Sequence, residues 1–175
     1  MQTLTLEKTA AKDFTLCLLA SFVICLSGQL SIPLWFTPVH ISMLNAVVLL
    51  TGALLGSRRG SAAVFAFLVY GAMGLPVFSI GGSGVHFLLG PKGGYYIGFL
   101  IAAFVVGYMV EKGKNIISAL VVGNLVIYLC GASFLASFVG WKKAFLLGVA
   151  PFLLGDLLKT IASVKIFQRF AKHSI

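Results

Sequence analysis

Asp156 and Lys159 are the residues of this sequence best suited to hold a polar ligand, because they interrupt an apolar stretch near the C-terminus. Their spacing of three positions puts both side chains on one face of a helix. An unpaired charge at the centre of a membrane is unfavourable by roughly 2.5–3.5 kcal/mol, so each needs a compensating interaction. Two hypotheses follow: a structural ion pair inside a helix bundle, or the polar floor of an outward-opening pocket.

The stretch 79–96, SIGGSGVHFLLGPKGGYY, is the second candidate region. Its glycines disfavour a long helix but let the backbone approach a ligand closely. We therefore place Ser83, His86 and Tyr95 among the candidate substrate-binding residues. The alternative is an ordinary flexible loop, in which His86 is a packed or interfacial residue and Lys92 a solvated interfacial charge.

The stretch 29–40, QLSIPLWFTPVH, contains the further candidates Gln29 and Trp35. Aromatic side chains such as Trp35 are typical anchors at a membrane interface. The functional alternative is a lid whose aromatic rings cover an apolar ligand. Asn124, polar within the apolar stretch GNLVIY, is predicted either to bond a neighbouring helix or to line the pocket.

Cys17, Ser21 and Cys25 form a stripe of small residues at four-residue spacing. Such a stripe lets another helix approach closely, so packing within the bundle and docking of a partner subunit both remain open. Together with Cys130 the chain has three cysteines. An odd number within apolar segments argues against a disulfide framework.

Motifs of soluble enzymes are absent from the sequence: it has no phosphate-binding loop, no Cys-x-x-Cys and no His-Glu-x-x-His. One intramembrane carboxylate without a neighbouring histidine or second acid provides neither a nucleophile–base pair nor a metal site. We therefore expect no enzymatic activity, cofactor or metal. A membrane-bound transferase using Asp156 is the enzymatic alternative.

The composition indicates an integral membrane protein. Of 175 residues, 59% are hydrophobic and only 10% are charged, against about 25% charged in soluble domains. The apolar runs are continuous, which excludes the alternating pattern of a β-barrel and favours helices. We predict one all-α transmembrane domain over 1–175 with six spans: 14–30, 41–56, 60–78, 94–110, 116–137 and 151–171.

The basic residues predict the orientation of these spans. One side receives nine of them: Lys8, Lys12, Arg58, Arg59, Lys112, Lys114, Lys165, Arg169 and Lys172. The other side receives three, Lys92, Lys142 and Lys143, and Lys159 lies within a span. The positive-inside rule then puts both termini in the cytoplasm. A basic rim facing anionic membrane lipid accounts for the net charge of +9 without a nucleic-acid partner.

Pro151 decides the start of the last span. A proline in the middle of a helix removes a hydrogen bond and clashes with the preceding turn, whereas the first helical turn tolerates it. We therefore predict a short amphipathic or re-entrant piece near 141–149, followed by a new helix that begins at Pro151.

Several motifs together resemble one family. These are GPKGGYYIGF, NLVIYLCG, PFLLGDLLK, the QLSIP...FTPV loop and the LLTGALLGSRRG turn, which occur in the same order from about Gln29 to Lys159. In this respect the chain is similar to the BioY family, the biotin-specific substrate-binding S components of energy-coupling-factor (ECF) transporters.

The resemblance implies a six-helix bundle in the cell membrane with an external biotin pocket, to which Asp156 and Lys159 belong. It also implies delivery of biotin to the cytoplasm, energised by a transmembrane T subunit and a pair of ATPases where these are present. Lys92 stands where the family usually has threonine, so it either attracts biotin's carboxylate or meets lipid headgroups. An S component for another small vitamin and a structural membrane adaptor remain the alternatives.

Overall fold

The computed structural model describes residues 2–32 and 41–171, and this part of the chain is almost entirely helical. Its elements in chain order are α1 (Gln2–Gln29), β1 (Ser31–Ile32), β2 (Ile41–Ser42), α2 (Leu44–Ala72), α3 (Val85–Leu89), α4 (Gly93–Glu111), α5 (Ile116–Val139), α6 (Trp141–Gly148) and α7 (Leu153–Ala171). Short 3-10 turns, Ser79–Gly81 and Ala150–Phe152, precede α3 and α7. The two strands pair antiparallel. Apart from this pair, the predicted all-α class is confirmed.

Three helical segments are each long and apolar enough to cross a membrane: Lys12–Gln29, Gly93–Glu111 and Ile116–Val139. A fourth crossing results if the pieces Trp141–Phe152 and Gly155–Arg169, which are bent by 43° relative to each other, form one span. The described residues therefore contain three or four candidate spans by length and composition.

α2 folds back on itself at Gly56. This residue has φ 82° and ψ 177°, a backbone conformation that glycine adopts readily. A Cβ on Gly60 would lie 2.7 Å from the Cα of Gly52, whereas eight residues of straight helix would separate the two by about 12 Å. The halves 44–55 and 57–72 are therefore packed neighbours, each shorter than one full crossing. They correspond to the predicted second and third spans.

Contacts with α1 and α4 hold this hairpin turn. The carboxylate of Glu111 accepts hydrogen bonds from the backbone N–H of Ser57 at 2.7 Å and from its hydroxyl at 2.8 Å. Arg59 forms an ion pair with Asp13 of α1 at 2.8 Å. The basic turn, the end of α4 and Asp13 thus lie at the same end of the bundle.

Two helix ends lie more than three residues from the boundaries of the predicted spans. α1 begins at Gln2, but its part that is long and apolar enough to cross a membrane is Lys12–Gln29, close to the predicted span 14–30. The second half of α2 ends at Ala72 and not at Phe78. The physical reason is that Gly74, with φ 99°, and the following Pro76 cannot continue a regular helix.

Pro151 starts a new helical segment, as predicted. It lies in the 3-10 turn Ala150–Phe152 immediately before α7, and the short α6 covers Trp141–Gly148. Trp141 and Phe145 on α6 are exposed whereas Ala144 is buried, which is the amphipathic pattern expected for this piece.

The closest helix packing is between α2 and α4. A Cβ on Gly52 would overlap the carbonyl oxygen of Ala103, and one on Gly107 would overlap the backbone at Ser57. Small residues therefore let these two helices approach backbone to backbone, as is common in membrane bundles. α5 packs on the other side of α4 and completes the core.

Candidate functional site

α7 presents Asp156 and Lys159 to the interior of the bundle. Their side chains are only 6% and 13% exposed, and Lys159 Nζ lies 2.9 Å from a carboxylate oxygen of Asp156. The three-residue spacing on one helix face therefore produces an ion pair. Each charge supplies the compensation that the other needs in a medium of low dielectric constant.

Two further side chains donate hydrogen bonds to Asp156. The hydroxyl of Tyr128 on α5 donates to one carboxylate oxygen, and the amide nitrogen of Asn45 on α2 lies 3.3 Å from the same oxygen. Asp156 thus connects α2, α5 and α7. An ionised carboxylate offers about four acceptor positions, and these donors with Lys159 take three of them.

Lys159 also connects α7 to the strand pair by a hydrogen bond. Its ammonium donates to the backbone oxygen of Ser42 at 2.8 Å, and the hydroxyl of Ser42 accepts from the backbone N–H of Leu44 at 2.8 Å. The ammonium has three protons. Among the described residues, the backbone oxygen of Ser42 and the carboxylate of Asp156 accept two of them, which leaves one donor position.

The ion pair borders a cavity between the helices. The described lining residues are Ser42, Leu44, Asn45, Ser79, Lys92, Tyr95, Tyr96, Phe99, Tyr128, Gly148, Phe152 and Lys159. The cavity has about 40 Å³ of free space, room for about three water molecules at roughly 10–15 Å³ each. A larger ligand therefore either extends beyond this space or displaces lining side chains.

Aromatic side chains form one wall of this cavity. The hydroxyl of Tyr95 donates to the backbone oxygen of Gly148 at 2.8 Å, which joins α4 to α6. Tyr96 packs beside Phe78 with ring centroids 4.6 Å apart, and Phe78 stacks on Phe87 at 5.5 Å. These rings are closely packed and largely apolar, and they suit the flat apolar part of a ligand.

Lys92, the residue before α4, lines the same cavity. Its ammonium lies 5.0 Å from the ring centroid of Phe87, within the range of a cation–π interaction. Burial lowers the pKa of Lys92 from its ordinary value to about 8. The half-buried ammonium is therefore less fully hydrated than a surface lysine.

The remaining predicted binding residues lie in several places. Asn124 donates to the hydroxyl of Thr160 at 3.2 Å and lines a smaller cavity with Asp156. Gln29 donates to the backbone oxygen of Pro76 at 2.6 Å. His86 borders an apolar cavity beside Lys92, Ser83 is absent from the described lining of the cavity beside the ion pair, and Trp35 lies outside the described residues. Their roles in binding stay predictions.

The stripe of small residues on α1 faces the bundle. Ser21 is 1% exposed, the thiol of Cys17 lies 3.5 Å from the backbone oxygen of Arg59, and Cys25 packs against the core. The opposite face of α1 exposes Leu19 and Phe22. This arrangement favours internal packing, so docking of a partner by the three residues stays a prediction.

Asn45 and Tyr128 are site residues that the sequence alone did not identify. Tyr128 lies four positions after Asn124 and so on the same face of α5. Asn45 is a polar residue at the start of an apolar segment. The sequence shows the spacing of Tyr128 from Asn124 and the polar type of Asn45, but neither observation identifies Asp156 as the hydrogen-bond partner of these residues.

Comparisons with known proteins agree on one family. A model of the BioY family matches residues 1–174. The chain is 38% identical to a probable biotin transporter BioY of Pyrococcus horikoshii, over 91% of this chain and 96% of that protein. It is 36% identical to the biotin transporter BioY of Thermotoga maritima, over 87% and 92%.

A solved structure has the same fold. It is the crystal structure of the S-component for biotin from an ECF-type ABC transporter, which is 30% identical and superposes with a TM-score of 0.86 over 94% of this chain and 93% of that one. Because the family model matches almost the full length, and because the relatives and the solved structure agree with it, the chain belongs to the BioY family.

Proposed function

We propose that this chain is a membrane transport component that binds biotin and passes it across the membrane, without catalysing a reaction. The relatives named above are biotin transporters, and the similar solved structure is an S-component for biotin. The observation that carries the proposal is the buried network around Asp156, which borders a cavity with an aromatic wall.

The chemistry of the network suits the ureido ring of biotin. This ring offers two N–H donors and one carbonyl acceptor. Lys159 keeps one donor position beside the cavity, and the carboxylate of Asp156 keeps one acceptor position. We propose that the ring carbonyl accepts from Lys159, and that an N–H group donates to Asp156 after Asn45, whose amide nitrogen is 3.3 Å from the carboxylate, moves aside.

The aromatic wall suits the remainder of biotin. Tyr95, Tyr96 and Phe99 line the cavity and offer apolar surface to the bicyclic ring and the valeryl chain. Since the cavity is narrow in this conformation, biotin entry includes a separation of lining side chains. Gln29, Ser83, His86, Trp35 and Asn124 remain proposed binding residues on the strength of the sequence alone.

We further propose six crossings of the plasma membrane, formed by α1, the two halves of α2, α4, α5 and α7. The packed hairpin at Gly56 supports counting α2 twice. The contacts of Ser57 with Glu111 and of Arg59 with Asp13 support one common basic end. By the positive-inside rule that end, with both termini, is cytoplasmic.

A transmembrane T subunit and a pair of ATPases are the proposed energising partners, since the sequence contains no phosphate-binding loop. The similar solved structure is an S-component from an ECF-type ABC transporter, which supports this context. Co-purification of the full chain from native membranes in mild detergent tests it.

The deciding experiment is a binding assay with tritiated biotin on the purified full chain in detergent. We expect saturable binding that unlabelled biotin displaces. Absence of saturable binding up to micromolar biotin, from protein that remains folded, contradicts the proposal.

A further inference from the structure

Two lysines reach the cavity beside the ion pair from different elements. Lys159 comes from α7, and Lys92 immediately precedes α4. The twelve described lining residues include these two cations but no aspartate or glutamate. Asp156 lies next to the lining and forms its ion pair with Lys159 at 2.9 Å. The described lining together with Asp156 therefore contains two cations and one carboxylate.

Lys92 lies between two cavities, because it lines the cavity beside the ion pair and also the apolar cavity that Phe87 borders. Lys92 is half-buried, and its ammonium lies 5.0 Å from the centroid of the Phe87 ring. Phe87 in turn stacks on Phe78. The positive end of the α4 helix dipole begins at the next residue. This end of the cavity therefore has a positive potential beside an apolar wall.

We propose that Lys92 recognises a carboxylate on the transported ligand and so makes this chain selective for the free acid over neutral derivatives. This inference rests on the proposed function: in biotin the carboxylate is at the end of the valeryl chain, away from the ureido ring. Lys159 and Asp156 bind the ring, whereas Lys92 binds the acid. The two lysines thus recognise opposite ends of one molecule.

The burial of Lys92 supports this assignment. Loss of water lowers its pKa to about 8, so the ammonium is still mostly protonated at pH 7. A carboxylate replaces part of the lost hydration with a charge-assisted hydrogen bond. The competing occupant is the phosphate of a lipid headgroup, which would bind Lys92 irrespective of the ligand in the cavity.

Biotin and biotinamide are the probes that test the inference, because the amide keeps the ring and chain but carries no charge. Binding of both is measured at pH 7 with the purified full-length chain. We expect the wild-type protein to bind biotin about three- to tenfold more tightly than biotinamide, the range typical of one partly exposed charge-assisted contact.

Three variants isolate the charge of Lys92. Lys92→Gln should lose the preference by binding biotin more weakly while binding biotinamide as before. Lys92→Arg should retain the preference, which also controls for folding at this position. Lys142→Gln removes an exposed charge from α6 and should change neither affinity.

The possible outcomes separate this inference from the proposed function. A preference for biotin that persists in Lys92→Gln, or that disappears equally in Lys92→Arg, overturns the role of Lys92 while biotin transport stands. Equal weakening of both ligands by Lys92→Gln indicates a structural or lipid contact and also overturns it. Wild-type protein that binds neither probe overturns the proposed function and the inference together.

Discussion

Tyr128 on α5 donates a hydrogen bond from its hydroxyl to the carboxylate of Asp156 on α7. The same carboxylate oxygen receives the amide of Asn45 from α2, and the other oxygen pairs with Lys159. Asp156 is thus a common acceptor that fixes donors from three helices at the edge of the cavity. In this arrangement it orients the groups that we propose to bind biotin.

Removing the charge of Asp156 should separate its structural role from its role in binding. Asp156→Asn leaves the ammonium of Lys159 buried without a carboxylate, and breaking a buried pair in this way destabilises a protein by about 3–5 kcal/mol. We also expect biotin affinity to fall at least about tenfold. The double variant Asp156→Asn with Lys159→Met should regain stability, because no buried charge remains, but not biotin binding.

Lys165→Ala is the control for this series, because Lys165 is exposed near the other end of α7. Thermal unfolding and biotin binding, measured in the same detergent, give both quantities. Uptake that is intact in Asp156→Asn would support a structural adaptor and contradict the binding role.

Tyr128→Phe tests the position of the Asp156 carboxylate. The substitution keeps the ring but removes one hydrogen bond to a charged acceptor, which is typically worth about 1.5–3 kcal/mol. Biotin affinity should fall by about tenfold, the lower end of that range. Tyr108→Phe is the matched control, since the Tyr108 ring is 49% exposed and far from the cavity lining. Equal binding by both variants would contradict the role of Tyr128.

The dependence of biotin binding on pH should report the charge of Lys92. Because burial lowers its pKa to about 8, the ammonium is cationic below that pH and neutral above it. Biotin affinity should therefore be highest near pH 7 and decrease toward pH 9, by no more than the loss seen in Lys92→Gln at pH 7. That variant should show a flat profile over the same range.

Other titratable groups face the same region, so the variant is an essential control. They are His86 on α3, Tyr95 and Tyr96 on α4, Tyr128 on α5, and Asp156 and Lys159 on α7. The interval from pH 7 to 9 lies above the ordinary range of imidazoles and below that of phenols. A pH profile of Lys92→Gln that parallels the wild type would assign the effect to one of these groups.

The close packing of α2 against α4 should make Gly52 intolerant of a side chain. A Cβ there would overlap the backbone oxygen of Ala103, and overpacking of this kind typically destabilises by about 1–3 kcal/mol. Gly155→Ala is the comparison, since no described atom lies within 4 Å of the point that its Cβ would occupy and alanine favours a helix by up to about 1 kcal/mol. Thermal unfolding of both variants measures the difference. Comparable stability of the two would contradict the packing.

Cysteine labelling tests the proposed orientation. Lys142→Cys and Lys114→Cys introduce thiols at exposed positions that are predicted to lie on opposite sides of the membrane. In a background with Cys17, Cys25 and Cys130 changed to serine, an impermeant maleimide should label position 142 in intact cells. Position 114 should react only after permeabilisation, and the reverse pattern would invert the topology.

Local sequence was a good guide to the helices and a weaker guide to their ends. The start of a new helical segment at Pro151 was predictable because proline acts on its immediate neighbours. The predicted third span runs to Phe78, six residues past the end of α2 at Ala72, because the apolar run continues through Leu75 and Val77 although Gly74 and Pro76 interrupt the helix. Hydrophobicity alone does not locate a helix end.

The sequence by itself determined that this is a helical membrane protein and that Asp156 and Lys159 share one helix face. Composition and the helical repeat carry that information, since both are local properties. Only the tertiary structure decided that Tyr128 and Asn45, which are 28 and 111 positions from Asp156, meet its carboxylate. Such contacts depend on how each helix is rotated and placed against its neighbours, and that arrangement results from the packing of the whole bundle.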